Sequence, residues 1–114
     1  PFLSLGPILA IPGVRKRLES VQALKIAVSP IIGGAAVLGP AAKIMAELGQ
    51  EVSAAGVARQ YQGICDMLMI DHQDAHLGPD ISALGIKPVV ASTIMDTEAD
   101  KVALARHVLT LMAD

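Results

Sequence analysis

The chain has 114 residues, 53% of them hydrophobic, with no Trp, one Phe, one Tyr and a formal net charge of −2. That length holds one core rather than two, and the surplus of Ala, Ile, Leu, Val and Met excludes disorder and low complexity. Nine basic against eleven acidic residues, with Arg15-Lys16-Arg17 the longest basic cluster, exclude the electrostatic footprint of a nucleic-acid binder.

In chain order, Pro12-Gly13 opens a short helix in which Val14, Leu18 and Val21 share one face, opposite Arg15, Lys16, Arg17 and Glu19. Leu24 to Val28 is an apolar run stopped by Ser29-Pro30, the pattern of a buried strand. A glycine-rich loop through Gly33-Gly34 follows. Gly39-Pro40 then starts a second helix, with Pro40 at its first position, Ile44, Met45 and Leu48 inward and Gly49 as the stop. Glu51 to Ser53 reads as a short strand, and Ser53 as the cap of a helix whose Val57, Tyr61 and Ile64 share a face. Met67 to Ile70 is the next strand. Asp71 to Ala83 is a polar connection with a helical turn around Asp80 to Leu84, ended by Gly85, and Lys87-Pro88 leads into the strand Val89-Val90-Ala91. Thr97 to Met112 is the clearest helix, opened by the capping box Thr97-Glu98-Ala99-Asp100 and striped by Leu104, Val108, Leu111 and Met112. Strands alternating with helices predict an α/β fold, a parallel sheet with helices on both faces. Three parallel strands leave two open edges, so a neighbouring segment or subunit is expected to cover at least one.

In open α/β sheets, ligands bind at the carboxyl ends of strands, where loops enter helix N-termini. Three segments qualify: Ser4-Leu5-Gly6-Pro7, Ser29-Pro30-Ile31-Ile32-Gly33-Gly34 and Ser92-Thr93-Ile94-Met95-Asp96. Glycines let a phosphate approach the backbone and hydroxyls add donors; the alternative is that Gly33, Gly34 and Gly39 serve only tight turns. Neither a Walker A motif nor a complete G-x-G-x-x-G is present. Asp71-His72-Gln73-Asp74-Ala75-His76 offers two imidazoles and two carboxylates, yet it lacks the Glu of H-E-x-x-H and reads as a solvated surface turn. Asp66 and Asp71 flank a strand, where bonding to loop amides is expected rather than acid–base work. Cys65 reads as a small buried hydrophobe, Tyr61 as packing, His107 as a surface residue and the methionines as gap fillers. Met95 is the exception, because it stands beside Thr93 and Asp96 where a substrate can reach it.

A single cysteine leaves no disulfide framework or thiolate-rich metal site, so a reducing, cytoplasmic setting is expected. The uncharged stretches 1–14 and 26–42 are not read as membrane spans. Ser29-Pro30, Gly33-Gly34 and Gly39-Pro40 break the second, and the first lacks a basic n-region. The absence of an initiating Met leads to the expectation of a processed terminus or a piece of a longer protein.

Pro1-Phe2-Leu3-Ser4-Leu5-Gly6-Pro7-Ile8-Leu9, Val28-Ser29-Pro30-Ile31-Ile32-Gly33-Gly34 with Gly39-Pro40-Ala41, and Gly56-Val57-Ala58-Arg59-Gln60-Tyr61 occur in this order, followed by Ile70-Asp71 and Thr93-Ile94-Met95. Together they resemble the C-terminal part of the 2-phospho-L-lactate transferases. The resemblance implies a Rossmann-like fold with a helical insertion, in which residues 1–114 form a single α/β unit of a transferase domain whose N-terminal part lies before Pro1. It implies transfer of a phospholactyl or phosphoenolpyruvyl group from a guanosine-diphosphate-linked three-carbon acid to the deazaflavin Fo, releasing GMP, in coenzyme F-420 biosynthesis. Homo-oligomers are implied as well, since members of the family can dimerise. By the same resemblance, Ser4, Gly6 and Pro7 belong to the loop entering the nucleotide site. Ser29, Pro30, Ile31, Gly33 and Gly34 belong to the loop facing donor and acceptor, and Thr93 and Met95 complete the substrate-binding set. The magnesium ion (Mg2+) is implied to be held by carboxylates outside this chain, so the chain alone is expected to be inactive. An alternative on the same fold is a nucleotide-sugar-binding regulatory protein of the gluconeogenesis-factor group, separable by its preference for uridine over guanosine nucleotides.

Overall fold

The computed structural model describes residues 8–36 and 40–113, so Ser4, Gly6, Pro7 and Gly39 lie outside the described residues. In chain order these residues form α1 (Val14–Ser20), β1 (Ile26–Val28), β2 (Ile31–Ile32), β3 (Ala35–Ala36), α2 (Ala41–Glu47), α3 (Ala54–Gln60), β4 (Met67–Asp71), a 3-10 helix (His72–Leu77), α4 (Gly78–Ala83), β5 (Lys87–Ala91) and α5 (Glu98–Ala113). The order β1-β4-β5 makes β4 the central strand, and both of its pairings are parallel. This is a Rossmann-like α/β arrangement.

The run Met67–Asp71 is apolar through four successive residues because the sheet is covered on both sides. Leu68 and Ile70 face one layer and join Ile31, Met45, Val57 and Ile81 in the larger core. Met69 faces the other layer, where Leu104, Val108 and Leu111 of α5 pack over it with Ile26, Val89 and Ala91. Leu68, Met69 and Ile70 are fully buried, each worth about 1.5–3 kcal/mol in transfer from water. Pro88 is accommodated inside β5 because that strand lies at the sheet edge and need not donate outward.

Several elements differ from the sequence expectation. The glycine loop is a two-stranded antiparallel hairpin, β2-β3, because Gly33 (φ 60) and Gly34 (φ 83) supply the two left-handed residues of a tight turn. Glu51 to Ser53 is not a strand: the Ser53 amide folds back on the Glu51 carbonyl at 3.0 Å, and the Ser53 hydroxyl accepts from the Gly56 amide to cap α3. Pro40 is the residue before α2 rather than its first residue. Gly49 does end α2, through paired bonds from the Gly49 and Gln50 amides to the Ala46 and Met45 carbonyls. Leu48 is exposed rather than inward, since Ala42 and Met45 make the contact and Leu48 sits past it at the cap. Met112 likewise leaves the α5 stripe for solvent. The connection after β4 is more helical than expected, a 3-10 helix running directly into α4. No helix among the described residues is long and apolar enough to cross a membrane.

Candidate functional site

The parallel strands bring their C-terminal ends to one side of the sheet. At the end of β1, the Ser29 amide continues the ladder to the Met69 carbonyl at 2.9 Å. The Ser29 hydroxyl then accepts from the Ile31 amide at 3.2 Å and donates to the Ile31 carbonyl at 3.1 Å, which turns the chain into the hairpin. Ile31 is fully buried and anchors the hairpin base in the core. At the end of β5, residues Ser92–Asp96 lead into α5, whose capping box forms as expected: the Thr97 hydroxyl accepts from the Asp100 amide, and the Asp100 carboxylate accepts from the Asp96 and Thr97 amides.

Between β1 and β5, the end of β4 supplies Asp71. One carboxylate oxygen accepts from the Thr93 amide at 3.0 Å and the Thr93 hydroxyl at 3.3 Å, while the other accepts from the Gln73 amide at 3.1 Å. Burial pushes the Asp71 carboxyl up, but the bonds from Thr93 and Gln73, with the nearby His72, outweigh it and hold the group below the usual carboxylate range. Asp74 is also buried, and both of its oxygens lie 3.2 Å from the Gly33 amide. The segment read as a solvated turn is therefore solvated only in part. Its histidines, His72 and His76, are exposed, whereas its two carboxylates are inside and bound to backbone. Asp66 behaves as expected too, accepting from the Lys25 amide at 2.9 Å.

These strand ends enclose a cleft of about 500 Å³. Val28, Ser29, Pro30 and Ile32 form one wall, and Thr93, Met95 and Asp96 form the other, with Lys101 of α5 beside them. Four of the expected site residues, Ser29, Pro30, Thr93 and Met95, thus meet in one place. Ile31 lies beneath the wall, and Gly33 and Gly34 form the hairpin tip away from the lining. Ile32 and Asp96 belong to the strand-end segments singled out in the sequence but not to the named substrate-binding set, and Val28 and Lys101 were missed. Lys101 falls in the first turns of the helix fed by a strand-end loop, a position the strand-end rule could have included. The cleft is apolar along Val28, Pro30, Ile32 and Met95 and charged at Asp96 and Lys101. The hydroxyls of Ser29 and Thr93 are both engaged within the fold, so the cleft's own chemistry is binding and orientation.

Elsewhere, burial pushes the Cys65 thiol up, with the Asp66 carboxylate adding to it, as suits a packed side chain. Tyr61 packs against the larger core. His107, expected on the surface, is half-buried along a cleft of about 320 Å³ that it shares with His72 and Ser92.

Residues 1–110 match the family model described as 2-phospho-L-lactate transferase CofD. Relatives named 2-phospho-L-lactate transferase include one from Methanocaldococcus jannaschii, 38% identical over 109 residues, covering 96% of this chain and 33% of the relative. One from Methanococcus maripaludis strain C5 is 41% identical over 109 residues, covering 96% and 34%. One from Methanosarcina acetivorans is 40% identical over 111 residues, covering 97% and 36%. The chain spans about a third of the length of the curated relatives it matches.

Proposed function

This chain belongs to the 2-phospho-L-lactate transferase CofD family, and from that premise we propose that it is the C-terminal part of an enzyme of coenzyme F-420 biosynthesis, one that moves a phospholactyl or phosphoenolpyruvyl group from a guanosine-diphosphate-linked donor to the deazaflavin Fo. The observation that carries this reading is the strand-end cleft, whose walls come from the Ser29-Pro30 and Thr93–Met95 segments. Its apolar surface suits a flat ring system, and Lys101 suits an anionic substituent beside that ring.

In the proposed reaction an Fo hydroxyl oxygen forms a bond to the donor phosphorus as the bond to the GMP oxygen breaks, and the hydroxyl proton passes to solvent. Transfers of this kind need little covalent work from protein. Alignment of hydroxyl and phosphorus is worth up to about 7–11 kcal/mol of the barrier, and that is the share assigned to the cleft. Met95 and Ile32 contact the ring, Lys101 draws the charged group toward Thr93, and Asp71 holds the Thr93 loop still.

Magnesium requires several oxygen ligands in octahedral array. No group of three or more His, Cys, Asp or Glu that could hold a metal exists among the described residues, and both oxygens of Asp71 and of Asp74 are engaged with protein donors. These residues do not fit the ion. The proposal assigns its ligands to protein outside this chain.

The test uses the full-length protein, with GMP release measured from a guanosine-linked donor in the presence of Fo. Met95→Ala and Lys101→Ala should each raise KM about 5–10-fold, the loss of one apolar or one charge contact. Transfer unchanged in both variants would remove the cleft from the reading. Tight binding of uridine nucleotides without group transfer would favour the regulatory alternative.

A further inference from the structure

We infer that Asp74 is a positioning residue that sets the separation of the two cleft walls, by fixing the β2-β3 hairpin to the same 3-10 helix that Asp71 ties to the β5 loop. The inference rests on the ligand-site reading of the cleft given above. Asp71 caps the 3-10 helix from the residue before it, and Asp74 lies three residues on, in its first turn. They nevertheless hold different walls. Asp71 accepts from Thr93 and Asp74 accepts from Gly33, and both side chains are at least 95% buried.

The hairpin needs this second anchor. Its strands are two residues each, too short to hold a position by themselves. Ile31 fixes the base in the core, and Ile32, which lines the cleft, stands between that base and the tip. At the tip, the Gly33 amide is shared between the two oxygens of the Asp74 carboxylate, 3.2 Å from each. The approach is close enough that a Cβ on Gly33 would stand 3.2 Å from the Gln73 amide oxygen. One rigid turn of helix therefore gauges the gap between the Pro30-Ile32 wall and the Thr93-Met95 wall.

Asp74→Ala and Asp74→Asn in the full-length protein test this by two readouts, amide exchange followed by mass spectrometry and steady-state kinetics with Fo. Asp74→Ala should speed exchange in 31–36 by about tenfold or more while 67–71 stays protected, and should raise KM for Fo about tenfold with kcat within about threefold. Asp74→Asn keeps an acceptor oxygen and should recover most of both. Parental protection of 31–36 in Asp74→Ala, or parental KM with that segment freed, overturns the inference, as does uniform loss of protection in both variants. If the parental protein transfers nothing to Fo, the functional reading fails, and the exchange measurements still decide whether Asp74 tethers the hairpin.

Discussion

Asp71 sits where a carboxylate is costly unless its lone pairs are filled, and three donors from Thr93 and Gln73 fill them. The ionised form is favoured in the folded state, so the folded group titrates below its unfolded counterpart. Stability from this group is therefore complete above the ordinary carboxylate range and is lost as pH falls through that range and on through the lower pH at which the folded group itself takes up its proton. Asp71→Asn should destabilise the protein by about 1–3 kcal/mol at pH 7 and flatten the acid limb of its stability curve. Urea unfolding at several pH values measures both, and an unchanged acid limb would assign that limb to other carboxylates. That the flanking aspartates bind loop amides was readable from their position at strand ends. The burial of Asp74 was not, because its donor is the hairpin tip 41 residues earlier, and nothing local in 71–76 announces it.

Helices and central strands were largely legible because their signals are local: the Ser53 cap, the Gly49 stop, the Thr97–Asp100 box and the apolar run of β4 each specify an element over a few residues. The hairpin was missed although its signal was present, two glycines flanked by Ile-Ile and Ala-Ala. The tight turn was kept as the alternative to a phosphate loop, but no strands were assigned to either side of it. Gly56 shows the opposite limit, since its role lies in packing and no pattern in α3 reveals it. A Cβ there would stand 1.9 Å from the Glu51 carbonyl oxygen and 3.0 Å from the Met45 methyl, and the first neighbour is backbone that cannot swing aside. Gly56→Ala should cost about 2–4 kcal/mol even though alanine has the higher helix propensity. Thermal unfolding checks it: a neutral or stabilised variant would mean that the turn at Glu51 to Ser53 relaxes freely.

At the scale of the molecule, the sheet formed by the described residues ends on one side at β5, where Pro88 blocks further pairing, and on the other at β1, which carries no proline or charge. The 114-residue chain alone should self-associate through β1, and Val28→Lys, at a half-exposed position, should shift it toward monomer by light scattering. A monomeric parental chain would show that this edge is protected already. The placing of the cleft at strand ends followed from the α/β pattern, but its membership required the packing, because Lys101 and Ile32 come to line one cleft only once β1 and β5 flank β4. That arrangement bears on when the site comes into being. The bonds steadying its walls join residues 41 and 22 positions apart, and their acceptors are Asp74 in the 3-10 helix and Asp71 at the last position of β4. Neither wall can be set while the chain is still short, so during synthesis the hairpin must wait for Asp74 to emerge and the opposite wall for Thr93. On the proposed reading of the cleft, binding competence is thus a late event in the life of each molecule, reached after the sheet has formed.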